Sequence, residues 1–103
     1  MSDSLLRSIS LSCLVWINAL REVRDRGDSE MIDKVVDLCT SIRALLPDQD
    51  HEVPDTNELW RLQDQEMELL HRRIHVLPDR EWYHTQIRVI EELQRRIREQ
   101  CKS

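Results

Sequence analysis

Residues 5–27 read LLRSISLSCLVWINALREVRDRG, and the patterning of that stretch decides the fold. Leu5, Ile9, Cys13, Trp16, Leu20 and Val23 recur in steps of four or three, the spacing of one helix face. Leu6, Leu11, Leu14, Val15 and Ile17 fall off that stripe. Over residues 9–20 nearly every side of the helix is therefore apolar, whereas a helix packed on one flank of a monomer keeps a polar back. Gly27 is the natural stop, because a glycine just past the last turn supplies the left-handed backbone that ends a helix. The first helix is predicted over residues 4–26, with Ser2, Asp3 or Ser4 as its cap.

Three more helices follow. Residues 29–45 are capped by Asp28 or Ser29, carry Glu30 and Asp33 at the positive end, and are closed by Pro47. Met31, Val35, Leu38, Ile42 and Leu45 form one seam on this second helix, with Ile32, Val36, Cys39 and Leu46 beside it. Residues 46–55 form a loop. The third helix starts after Pro54, where Asp55 and Glu58 stand three apart as in a capping box, and continues to about residue 76. Trp60, Met67, Leu70, Ile74 and Leu77 form its main seam, with Gln63 as the one polar member. Leu59, Leu62, Leu69 and Val76 form an adjoining seam interrupted by Glu66 and Arg73. Pro78 ends that helix and opens the fourth at its first position, with Asp79 and Glu81 in the first turn. Tyr83, Ile87, Ile90, Leu93 and Ile97 give the fourth helix a narrower face, flanked by Trp82 and Val89. Connections of two or three residues force antiparallel neighbours. The expected fold is thus all-α: a helical bundle of two antiparallel hairpins, residues 4–45 and 56–101, joined by the 46–55 loop into one domain over 1–103.

Composition narrows the function classes. One glycine in 103 residues argues against sheet turns and against the glycine-rich loops that cradle phosphates. The net charge of −5 disfavours nucleic acid, whose binders carry excess positive charge. Cys13, Cys39 and Cys101 are widely spaced and odd in number, which excludes a CxxC motif and fits a reduced, cytoplasmic setting. Cys13 and Cys39 read as small core residues. The apolar run at 11–20 is too short to span a bilayer and lacks the flanks of a signal peptide, so no membrane association is expected.

The apolar surplus of the first helix is the main functional clue. A helix apolar all round must be buried all round. A central place in one monomer would do this; a homodimer or a hetero-complex does it more easily in so short a chain. Leu14, Ile17 and Leu20 are the expected self-association residues. Leu62, Leu69 and Trp82 are the expected contacts to a protein partner. Trp16, Trp60, Trp82 and Tyr83 either pack between hairpins or, with Met31 and Met67, act as partner-facing anchors.

Chemistry is sparse. His71 and His75 share a helix face at the spacing of a metal pair, but a third ligand would have to come from a residue such as His84 or Glu66, and the zincin HExxH motif is absent. No nucleophile elbow is present and the chain is short for an enclosed pocket, so neither an enzyme nor a cofactor is expected. Arg88, Arg95, Arg96 and Arg98 make a basic end, but Glu91, Glu92 and Glu99 interleave with them, which reads as a solvated face.

The apolar residues 9–20 and the long charged segment 79–102, with the length and acidic charge of the chain, resemble the QslA-like antiactivators of LuxR-type quorum-sensing receptors. The resemblance implies a dimeric adaptor that binds a transcription factor and blocks its dimerisation without touching DNA. The alternative is a small secretion-type chaperone that holds a client helix in an apolar groove.

Overall fold

The computed structural model describes residues 3–26, 29–46 and 56–101. Four α-helices account for most of them: α1 (Asp3–Glu22), α2 (Ser29–Leu45), α3 (Thr56–Arg73) and α4 (Arg80–Cys101). No strand occurs among the described residues. The all-α expectation and the four helices are therefore as predicted.

The helices stand as a ring in which α1 packs on α2, α2 on α3, α3 on α4 and α4 back on α1, while the diagonal pairs stay apart. Side-chain pairings give the directions. Arg24 beyond the end of α1 meets Asp33 near the start of α2; Glu30, Met31 and Lys34 at the start of α2 line one groove with Leu69, Arg72 and Arg73 at the end of α3. Arg98 late in α4 lies over Trp60 early in α3, and Trp16 late in α1 meets Trp82 early in α4. Every neighbouring pair is thus antiparallel. The long axis of the molecule, 42 Å, is not much more than one helix length, since α4 alone spans about 33 Å at 1.5 Å per residue.

The ring resolves much of the apolar surplus of α1. Two neighbours cover it rather than one, so Leu5, Ile9, Cys13, Trp16, Ile17, Leu20 and Val23 are all buried within the chain. Leu14 and Val15 are half-buried, and Leu11 stands 62% exposed. α1 is thus one of four members of the ring, covered on its inner face and open to solvent along its back.

Helix ends depart from expectation by a few residues, each for a local reason. α1 stops at Glu22 instead of residue 26, because the backbone tightens into three-residue hydrogen bonds. Val23 N–H donates to the Leu20 carbonyl at 3.2 Å and Arg26 N–H to the Val23 carbonyl at 2.9 Å, making a 3-10 turn over Arg24–Arg26. α3 likewise ends at Arg73 and passes through a 3-10 turn, Ile74–Val76. Leu77 is then extended, with φ −93° and ψ 147°, as the residue before a proline must be. α4 begins at Arg80, not at Pro78. Asp79 takes a left-handed φ of 56° and its carbonyl accepts the Tyr83 N–H at 3.4 Å. A short polar residue tolerates that backbone well. Gly27, residues 47–55 with the Asp55 half of the capping box, and the side chains of Val76 and Cys101 lie outside the described residues.

The core is one cluster fed by all four helices, with Trp16, Leu20, Ile32, Ile42, Leu59, Leu70, Ile87 and Ile90 among its most buried members. Leu59 is fully enclosed. Leu59→Ala is expected to destabilise the bundle by about 2–5 kcal/mol through lost burial and the cavity left behind, read from urea unfolding.

Candidate functional site: the groove between the first and last helices

The side chains expected to meet a partner are distributed unevenly between core and surface. Ile17 and Leu20 face the chain's own core, with 6% and 0% of their surface exposed. Leu14 is half-buried and is the one member of that trio that reaches the outside. Leu62 is buried on the inner face of α3. Leu69 is half-buried and lines a shallow groove between α2 and α3, beside Met31, Lys34 and Arg72.

Trp82 is half-buried in an aromatic cluster that fastens the start of α4 to α1. Its ring meets Trp16 edge-on at 6.3 Å and Tyr83 edge-on at 5.0 Å, while Trp16 and Tyr83 stack at 5.6 Å. Rings at these separations stabilise beyond their buried area. Burial, then Asp79 and Glu22, raises the Tyr83 phenol above its usual range. Trp60 is covered at its ring face by the Arg98 guanidinium, 4.5 Å from the ring centre. Each tryptophan thus has an intramolecular partner.

The exposed apolar surface lies elsewhere. Among the described residues the large hydrophobic side chains left exposed are Leu11 on α1 and Val89 on α4. Val89 sits in the wall of an open groove of about 400 Å³ between those helices. Ser8 forms the α1 side, Leu93 the floor, and Thr85, Arg88, Val89, Glu92 and Arg96 the α4 side. Leu11 stands one turn beyond Ser8, three residues on and so on the same side of α1. An apolar strip with a rim carrying two arginines and one glutamate is an interface composition rather than a reaction centre.

The rim charge is partly spoken for. Arg95 pairs with Glu92 and Glu99 on α4 itself, and hydrogen bonding to Arg95 holds the Glu92 carboxyl below its usual range. Arg95 is correspondingly raised. Such exposed pairs contribute little to stability. Arg88 and Arg96 line the groove itself.

The histidine pair does not assemble a metal centre in this geometry. His71 Nε2 lies 3.7 Å from Glu91 Oε1, and both side chains are solvent-exposed. Glu66, the suggested third ligand, is buried and accepts a hydrogen bond from Cys39 at 3.3 Å. Among the described residues no group of three or more His, Cys, Asp or Glu side chains is placed to hold a metal ion. No described helix is long and apolar enough to cross a membrane.

Glu66 is the residue whose position the sequence pattern concealed. By spacing alone it is a polar interruption of a secondary seam. In the structure the buried face of α3 is Leu59, Leu62, Gln63, Glu66 and Leu70, so the two seams merge and Glu66 lies at their centre. The signal was present in the spacing: 59, 62–63, 66 and 70 advance in steps of three and four. Burial pushes the Glu66 carboxyl up to about 7, against a smaller lowering by the Cys39 thiol. Cys39 itself is raised, by a side-chain hydrogen bond with Cys13, by burial and by Glu66.

Comparison with protein-family models, with curated proteins and with solved structures returns no match. The groove is therefore judged on its own chemistry. Leu93 at its floor belongs to the core, but Val89 in its wall and Leu11 beside it are exposed rather than packed, so the fold does not need them. Replacing Leu11 and Val89 together by serine is expected to leave folding stability within about 0.5 kcal/mol of the wild type in urea titration, as for surface positions generally.

Proposed function

We propose that this chain is a protein-binding regulator that sequesters a transcription factor of the quorum-sensing receptor type by covering the surface through which that factor dimerises. The observation that carries the reading is the α1–α4 groove, with Val89 exposed in its wall and Leu11 exposed one turn along α1 from Ser8, while the other large apolar side chains among the described residues are wholly or partly covered. An amphipathic helix laid in such a groove anchors through its apolar residues at helical spacing. Arg88 and Arg96 on the rim suit a partner helix with acidic flanks, since complementary charge selects partners and speeds encounter. The outline resemblance of the chain to the QslA-like antiactivators supports the same reading.

In this proposal the chain acts in the cytoplasm, without cofactor or catalysis and without contacting DNA. It also self-associates, and Leu14, half-buried on the outer side of α1, is the member of the expected seam available for that contact. Leu14→Arg is then expected to convert a dimer to a monomer in sedimentation velocity. An unchanged dimer would move the self-association surface away from α1.

The sequestration reading is tested with a LuxR-type receptor encoded by the same genome. Addition of the chain should convert the receptor dimer into a mixed complex in sedimentation and release it from operator DNA in anisotropy. Leu11→Asp combined with Val89→Asp should weaken both effects at least tenfold, because a charge in the apolar strip must be desolvated on binding. A receptor that stays dimeric and DNA-bound in excess chain overturns the reading. Binding of an extended, exported client in place of the folded receptor would instead identify a secretion-type chaperone.

A further inference from the structure

We propose that Glu66 is a proton-operated latch between the two hairpins, holding the α2–α3 seam closed when its carboxyl is neutral and loosening it when the carboxyl ionises. The placement is what makes this possible. α2 belongs to the first hairpin and α3 to the second, and Glu66 reaches across their seam to Cys39. Its side chain is 2% exposed, as closed to solvent as the leucines beside it.

Among the described residues the surroundings offer a carboxylate no counter-charge. From α2 the facing titratable group is the Cys39 thiol, which donates to Glu66 Oε1 at 3.3 Å. Behind it, from α1, comes Cys13, which helps to raise the Cys39 thiol. α4 turns isoleucines and leucine into the core, and its buried titratable side chain, Tyr83, responds to Asp79, Glu22 and Arg26 rather than to Glu66. Among the described residues burial and the Cys39 thiol are the influences on Glu66, and no cation is one of them. One turn earlier on α3, Gln63 is equally buried, and its Oε1 has no hydrogen-bond partner among the described residues. A neutral carboxyl carries the O–H that such an acceptor lacks; an ionised one offers only further lone pairs.

The sign of the pH effect follows. A carboxyl that titrates near 4.5 in the unfolded chain and about 7 in the closed bundle favours the closed form most at low pH. Its contribution is complete below pH 4.5, is lost as pH rises to about 7, and is flat above that. Over that span the closed-to-open ratio falls by roughly 300-fold on account of this group alone. The latch therefore works from weakly acidic pH up to neutrality and is fully released above it.

Three measurements test it on the full chain. Carbon-13 titration of the Glu66 carboxyl in the wild type should give a midpoint near 7; a midpoint below 5.5 overturns the proposal. The unfolding constant from urea titration should rise between pH 4.5 and 8 by roughly 300-fold more in wild type than in Glu66→Gln, which stays neutral; parallel profiles overturn it. Iodoacetamide labelling of Cys39, read by peptide mass and normalised to the denatured chain at each pH, reports opening of the seam itself. Labelling should accelerate from pH 6 to 8 in the wild type and stay flat in Glu66→Gln. If the glutamine variant folds poorly, Glu66→Met should give the same flat profile. Labelling that rises equally in wild type and variant shows that the seam does not answer to Glu66.

Discussion

The whole arrangement depends on covering α1. Over residues 9–20 only Ser10, Ser12 and Asn18 are polar, so a single neighbour would leave too much apolar surface in water. Placing α2 on one flank and α4 on the other covers Trp16 and Leu20 completely. Because α4 must return to α1, the second hairpin cannot splay away from the first, and the ring of four helices closes. The aromatic cluster of Trp16, Trp82 and Tyr83 sits where that closure is made, fixing the start of α4 against the second half of α1. Gln94 ties the other pair, donating to Asp64 at 3.0 Å and to the Trp60 carbonyl at 3.3 Å.

Closure also determines what remains for function. Residues that look like surplus in a helix considered alone become core once two neighbours are present, and Ile17 and Leu20 are examples. What survives as exposed apolar surface is set by the outward direction of α1 and by the α1–α4 cleft, which is why Leu11 and Val89 mark the candidate interface. A stripe count on one helix gives the amount of apolar surface and not its share among neighbours. Leu14 and Ile17 lie three residues apart, yet one is half-buried and the other closed to solvent, because Ile17 joins the core and Leu14 stands at its edge.

Helix number and hairpin pairing were legible in the sequence because they rest on strong local signals: apolar periodicity, prolines at 47, 54 and 78, and very short links. Helix ends were less legible. Pro78 has the qualities of a first helical residue, but the extended Leu77 before it and the left-handed Asp79 after it delay the helix to Arg80. Those backbone choices depend on how the chain turns from α3 into α4, which no single residue announces. Glu66 was illegible for a different reason. A glutamate is so rarely buried without a charged partner that pattern reading assigns it to solvent. Only the three-dimensional seam shows that its neighbours are a thiol and apolar side chains.

A buried carboxyl with no cation beside it lowers the stability of a bundle that a methionine of similar size would strengthen. Its retention in a small core has a physical consequence that an apolar residue cannot reproduce. The packing of α1 on α4 rests on aromatic and aliphatic contacts that are indifferent to pH, whereas the packing of α2 on α3 passes through a group whose charge changes near neutrality. The two seams between hairpins are therefore unequal. One is constant, and the other weakens as protons are withdrawn. With the pairs within each hairpin held by short links, the weakest line through the molecule at high pH runs between α2 and α3, along the connection that is longest in the chain. A bundle built this way opens on the α2–α3 side while the α1–α4 groove stays assembled, so the surface offered to a partner and the seam that responds to protons lie on opposite sides of one core.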